Sequence, residues 1–199
     1  MSKPFILGLT GSIGMGKSAV AAMFREAGIP VFDADAAVHE LQGPHGALLA
    51  AIEQEFPGAT SANGVDRQKL GAAVFGDPAA LRRLEAIVHP AVAELRKSFL
   101  AEHIASPLIV FDIPLLYEKS GHSGLNAVLV VSASAQQQRE RVLARPGMTE
   151  EKFVKILGLQ VPDADKRRRA DYVIGTGVSL DQTRQSVRQL VEQLTAAEK

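Results

Sequence analysis

Two kinds of segment alternate along the chain. Five short runs are almost wholly apolar: Phe5-Ile6-Leu7-Gly8-Leu9-Thr10, Val31-Phe32, Leu108-Ile109-Val110-Phe111-Asp112, Ala127-Val128-Leu129-Val130-Val131 and Tyr172-Val173-Ile174. A strand with one wet face alternates apolar with polar residues. These runs do not alternate, as expected of strands covered on both faces in a parallel sheet. The segments between them carry helical patterns. Ala19, Val20, Met23 and Phe24 mark a helix over 17–27, which Gly28 is placed to end and Pro30 keeps from resuming. Further helices are expected from about 36 to 41, 134 to 144 and 149 to 160. A last one opens at Ser179, where Gln182 completes a capping-box spacing.

Strands separated by helices predict an α/β fold, a parallel five-stranded sheet flanked by helices. Between the second and third strands the pattern changes. Helices near 47–55, 66–74, 78–88 and 91–104 exceed what one crossover needs. Asp77-Pro78 is a good helix start, and Pro90 after His89 disfavours continuing that helix. These helices predict an insertion over 46–105, set into a core of 1–45 and 106–199.

Composition narrows the class without naming a chemistry. The chain has 199 residues, 22 Lys+Arg against 22 Asp+Glu, and no cysteine. The charge balance argues against nucleic-acid binding through an overall cationic field. Lack of cysteine excludes disulfides, thiolate metal sites and a catalytic thiol. No apolar run approaches the ~18–20 residues that span a bilayer. The start Met-Ser-Lys-Pro does not resemble a signal peptide, so a cytoplasmic protein without membrane partners is expected. The distribution of charge says more than its total. Residues 1–60 hold 3 basic and 6 acidic side chains, whereas 136–171 hold 9 and 6.

The chemistry enters with Gly11-Ser12-Ile13-Gly14-Met15-Gly16-Lys17-Ser18. This is glycine, four residues, then Gly-Lys-Ser, between an expected strand and an expected helix. Glycines let the backbone curl so that successive amides point at phosphate oxygens, and the helix N-terminus adds positive charge. Lys17 can bridge β- and γ-phosphates, and the Ser18 hydroxyl can coordinate Mg²⁺. The nucleotide site therefore comprises Gly11, Ser12, Ile13, Gly14, Met15, Gly16, Lys17, Ser18 and Ala19. The Asn-Lys-x-Asp motif of a GTPase switch is missing. So is a Glu after Asp112, which a translocating ATPase would use to polarise water. These absences favour phosphoryl transfer to a bound small molecule. Asp33, at the end of the second strand, can take a proton from the acceptor hydroxyl, or can merely cap the following helix. Asp35 can line the same site or reach Mg²⁺ through water, and Asp112 can serve Mg²⁺ or end its strand.

Several segments together resemble the dephospho-CoA kinase family. They are Leu9-Thr10 with the glycine-rich loop, Asp33-Ala34-Asp35, Asp66-Arg67 before Val74-Phe75, and Leu84 through His89-Pro90. Further matches are Asp112-Ile113-Pro114-Leu115-Leu116-Tyr117-Glu118, Gln138 through Arg145, Gln160, and Ala170 through Ile174. The resemblance implies a P-loop kinase core, a helical acceptor-binding insertion and a helical lid, about 140–170. It implies transfer of the ATP γ-phosphoryl group to the ribose 3′-hydroxyl of dephospho-CoA, giving CoA and ADP with Mg²⁺. This is the last step of coenzyme A biosynthesis. Asp33 matches the family's general base, and His89 falls in its acceptor segment. Ser12, Met15 and Ala19 depart from the family's usual Gly, Ser and Thr.

The remaining candidates follow from position. Leu115, Leu116 and Glu118 are candidates for contact with the acceptor, the two leucines also for packing. Arg141 and Arg145 stand four apart and would share a helix face toward the transferring phosphoryl group. Lys166-Arg167-Arg168-Arg169 is read as a solvated face near the lid. A monomer is expected, with a weak oligomer as the alternative. Two other readings stay open: a nucleoside or nucleotide monophosphate kinase, and a P-loop regulatory or nucleic-acid-binding ATPase.

Overall fold

The computed structural model describes residues 3–118 and 123–196. At its centre β1 (Phe5–Thr10) runs parallel to β5 (Leu108–Asp112) on one side and β6 (Ala127–Ser132) on the other. The sheet is completed by β2 (Val31–Asp33) beyond β5 and by β7 (Tyr172–Gly175) beyond β6. Every residue of β5 and β6 is buried, as their unbroken apolar runs require. Side chains leave each strand alternately up and down. Leu7, Leu9, Leu129 and Val131 share a core with Val20 and Phe24 of α1 (Lys17–Glu26) and Val187 and Leu190 of α9 (Leu180–Ala196). The intervening Val128 and Val130 meet Leu116 and Tyr117 on the opposite face. Two further capped helices follow β6. They are α6 (Ala135–Leu143), with a capping box from Ser134 and Gln137, and α7 (Glu150–Gly158), capped by Thr149. A short α8 (Asp163–Arg169) then leads into β7.

The chain divides into two compact units, 1–32 with 103–199 and 33–102. The second contains α2 (Ala34–Gln42), α3 (Leu49–Glu55), a ribbon of β3 (Thr60–Ser61) and β4 (Gly64–Val65), α4 (Arg67–Val74) and α5 (Pro78–Glu102). Its own core is built from Leu41, Leu48, Ile52, Phe56, Leu70 and Ala80. Because α2 contributes Leu41 to that core, the unit begins at Asp33, earlier than residue 46.

One expectation is corrected. The segments 78–88 and 91–104 are a single helix of 25 residues, with Pro90 inside it. Proline costs a helix one hydrogen bond and some steric strain. Here the apolar stripe Leu84, Ile87, Val88, Ala91, Val92 and Leu95 continues through Pro90 against the same core. Breaking the helix would rotate half of that stripe into water, so burial outweighs local preference. Asp77 caps the helix as expected, accepting from the amides of Ala79 (2.8 Å) and Ala80 (3.1 Å). Those amides hold its carboxyl below the usual range, Ala80 foremost. His89 accordingly lies exposed along a helix and not in a turn. Pro90 itself is exposed. Pro90→Ala should therefore stabilise the protein by about 1–3 kcal/mol, read as a higher urea midpoint at unchanged slope.

Candidate active site

The register of the central strand sets the site. Leu9 lies opposite Asp112 on β5, and Thr10 opposite Val130 on β6. The chain therefore leaves β1 where both neighbouring strands are about to end, the edge at which open α/β sheets place ligands. Gly14 and Gly16 then adopt φ of 77° and 86°, a left-handed conformation that glycine takes without steric cost. A Cβ on Gly14 would also stand 2.5 Å from Val142 Cγ2. Gly16 is the N-cap of α1 and supplies no side-chain acceptor, so the first helical amides keep their capacity to bind an anion.

Neighbouring elements hold this loop in place. Ile13 N–H donates to Gln160 Oε1 (3.1 Å), and Ile13 C=O accepts from Gln138 Nε2 (2.8 Å). Thr176 Oγ1 donates to Met15 C=O at 2.8 Å. The Met15 side chain is 2 % exposed and packs into the core under α1, its Sδ accepting from Ala133 N–H. Met15 is thus an anchor, held by buried contact. Ser12 Oγ is buried without a hydrogen-bond partner among the described residues.

Lys17 forms an ion pair with the buried Asp112. Ser18 and Ala19 are exposed on the first turn of α1. Hydroxyl and carboxylate oxygens are the donors a hard cation prefers, so Ser18 and Asp112 suit Mg²⁺. No group of three His, Cys, Asp or Glu side chains able to hold a metal occurs among the described residues. An ion here would have to take further ligands from the nucleotide and from water.

Asp33 ends β2 and caps α2, its Oδ1 accepting from Ala36 N–H at 2.9 Å. Asp35 is exposed in the first turn of that helix. Leu115 is half-buried. Leu116 is fully buried among Tyr117, Val128 and Val130, the packing role that was the alternative to acceptor contact. Glu118 is engaged internally: Oε1 accepts from Val161 N–H (2.9 Å) and lies 2.8 Å from Lys166 Nζ. Lys166 has no exposed side-chain surface. Burial alone would push the Glu118 carboxyl up; the Lys166 ammonium and the Val161 amide outweigh it and hold it below the usual range.

The arginines divide. Arg141, on α6, donates to Thr176 Oγ1 (3.1 Å) and Thr176 C=O (2.6 Å). Arg145 is exposed and lies beyond the C-cap Ala144, so the two share no helix face. Pro146 disfavours helical backbone at the residue before it, a signal that the four-residue spacing obscured. In the basic run 166–169, Arg167, Arg168 and Arg169 are exposed, as a solvated face requires, and Lys166 alone is buried. Besides the buried Lys166, Arg167 pairs with Asp163 (3.1 Å), Arg168 with Asp165, and the Arg169 guanidinium lies 4.4 Å from the Tyr117 ring centre. Gln138 and Gln160 entered the sequence analysis only as parts of the family resemblance, with no role attached, and Thr176 did not enter it. Only the capping boxes at Ser134 and Ser179 hint at how the elements around them are placed.

Known proteins resemble this chain in both sequence and fold. The dephospho-CoA kinase family model matches residues 5–182. The dephospho-CoA kinase of Novosphingobium aromaticivorans is 68% identical over 191 residues, 96% of this chain and 95% of that one. A crystal structure from Thermus thermophilus superposes with a TM-score of 0.85 at 35% identity, covering 97% of this chain and 99% of that one. The dephospho-CoA kinase of Campylobacter jejuni shares the fold, with a TM-score of 0.66 at 22% identity over 97% of this chain and 98% of that one.

Two measurements test the local energetics. Ser12→Ala removes a buried hydroxyl that has no partner among the described residues, so it should be neutral or stabilising by about 1 kcal/mol, with no loss of ATP affinity. Because the folded Glu118 carboxyl is depressed, the unfolded chain binds its proton first as pH falls. The stability it contributes is complete above the unfolded pKa and disappears as pH drops through the folded value. Glu118→Gln should accordingly flatten the acid limb of a stability–pH curve below about pH 4.5.

Proposed function

The chain belongs to the dephospho-CoA kinase family, and on that premise we propose how its residues carry the reaction. The activity is ATP-dependent phosphorylation of dephospho-CoA at the ribose 3′-hydroxyl, giving CoA and ADP. The observation that carries this reading to particular residues is the phosphate loop, held between β1 and α1 with Lys17 and Asp112 at its floor.

The loop amides from Gly14 to Ser18 cradle the β- and γ-phosphates, and Lys17 exchanges Asp112 for phosphate oxygens as ATP enters. Ser18 and Asp112 would hold Mg²⁺, which when bound supplies positive charge at the phosphates. Asp33 takes the proton of the 3′-hydroxyl as that oxygen bonds to the γ-phosphorus and ADP leaves with the bridging electrons. Its bond to Ala36 N–H fixes the direction of the carboxylate and so supports this role. Asp35, His89 and Leu115 are assigned to the acceptor, and the helical unit 33–102 is the part that binds it. Arg145 is assigned to the transferring phosphoryl group. Arg141 supports the nucleotide site through Thr176, which also bonds the loop at Met15.

A lid within about 140–170 closes over the nucleotide and excludes water. The burial of Lys166 and the stacking of Arg169 support α8 as its fixed base. The enzyme is further proposed to act as a cytoplasmic monomer. No helix among the described residues is long and apolar enough to cross a membrane.

Incubating the protein with MgATP and dephospho-CoA should yield CoA by mass, with little turnover of a panel of nucleoside monophosphates. Absence of CoA from folded protein at saturating substrates would overturn the assignment. Asp33→Asn separates base from cap, because asparagine caps helices as well as aspartate does. It should lower kcat by about 10²–10⁴-fold while leaving melting temperature and ATP affinity nearly unchanged. Near-normal turnover would reduce Asp33 to a cap.

A further inference from the structure

The two hydrogen bonds on Ile13 carry an inference beyond the roles assigned above. Both polar groups of one loop residue are taken up by side chains from outside the loop: Gln160 Oε1 accepts from its N–H (3.1 Å), and Gln138 Nε2 donates to its C=O (2.8 Å). The polarity of the two amides is dictated by the backbone. A peptide N–H requires an oxygen and a peptide C=O requires an N–H, so neither glutamine can be reversed without losing its bond.

Both arms are themselves held. Gln138 is 5 % exposed, on a helix whose start is closed by the Ser134–Gln137 capping box. Gln160 follows α7, its own N–H bonded to Leu157 C=O at 3.0 Å. The next residue, Val161, gives its N–H to Glu118 (2.9 Å), whose carboxylate faces the buried Lys166 (2.8 Å). A continuous path of bonds thus runs from a buried ion pair to the first bend of the phosphate loop. That bend immediately precedes Gly14, where the backbone turns left-handed.

We propose that Gln160 is a positioning residue for the phosphate loop, which it clamps with Gln138 so that the amides after Ile13 face the nucleotide before it arrives. The proposal rests on the kinase reading and adds a residue to it. Gln160 touches no reacting atom. It reduces the number of loop conformations that compete with the binding-competent one, and a ligand's apparent affinity falls in proportion to the competent fraction. It also makes the lid's base and the loop one mechanical unit, so that closure is referenced to a loop already in register.

The test compares Gln160→Leu, which keeps the volume and removes the acceptor, with Gln160→Glu, which keeps an oxygen at the same reach. ATP affinity is read by calorimetry without acceptor, and amide exchange is read at Ile13. The leucine variant should bind ATP about 3- to 10-fold more weakly, as the loss of one net hydrogen bond predicts. Its dephospho-CoA affinity should not change, and Ile13 should lose exchange protection. In the glutamate variant Ile13 should stay protected. If the leucine variant melts lower than the native protein, Gln160→Ala replaces it in the same comparison. Unchanged Ile13 exchange, ATP affinity within 2-fold of native, or equal weakening toward both substrates would overturn the proposal. Neither readout requires turnover. A protein that bound ATP but made no CoA would refute the assigned reaction and leave the clamp to be judged by its own measurements.

Discussion

The pairing of β1 with strands on both sides is the constraint on which the rest of the first unit depends. A central strand has no free edge, so its register cannot slip by one residue without turning Leu7 and Leu9 out of the core. That register sets Leu9 beside Asp112 and so brings a carboxylate to the floor of the loop that follows. It also determines where the chain must turn. Thr10 donates its hydroxyl to Pro114 C=O (3.2 Å), and Ile113 N–H bonds back to Leu9 C=O (2.9 Å), so the ends of β1 and β5 are stitched together beyond their last ladder pair. The glycines supply conformations that only they tolerate, but the position of the loop in space belongs to the sheet.

Around that loop the protein uses polar contacts sparingly and each of them joins distant parts of the chain. Thr176, Gln138 and Gln160 reach it from three different elements. The buried pair of Glu118 with Lys166 is of another kind. Taking two charges out of water costs free energy that a well-packed apolar pair would not, so its value lies less in stability than in specifying one arrangement. The arrangement it specifies here is the seat of α8 against the segment after β5. Leu116 and Tyr117 in the same segment pack on Val128 and Val130. The stretch from 114 to 118 is therefore built chiefly as a support.

Much of this was legible in the residues themselves. The five apolar runs became the five strands because double burial leaves a pattern that needs no tertiary knowledge to see. The glycine-rich loop was equally plain, since few other constraints require that many small residues followed by Lys17 and Ser18. Other features were not legible, and for Pro90 and Lys166 the reason is that a long-range contact overrides a local rule. Pro90 disfavours continuing a helix in isolation, yet a stripe of side chains on both its sides seeks one core. Lys166 stands in a run of four basic residues, and nothing local marks it as the one that is buried. Its partner Glu118 is 48 positions away. For Arg145 the reason is local: Pro146 ends the helical backbone that the four-residue spacing from Arg141 suggests. The partners of Gln138 and Gln160 were not legible, because an amide side chain on a polar helix or at its end looks the same whether it binds water or a backbone.

The ion pair of Lys17 with Asp112 gives the site a discriminating logic. A simple anion could satisfy the lysine only by abandoning a carboxylate in a buried position, where a lone charge is costly. A ligand that offers negative oxygens to one partner and positive charge to the other suffers no such loss. Two conditions must thus be met at once, and the bare phosphate and sulfate that abound in a cell meet only one of them. The resting state screens its visitors by demanding a conjunction, before any lid has moved.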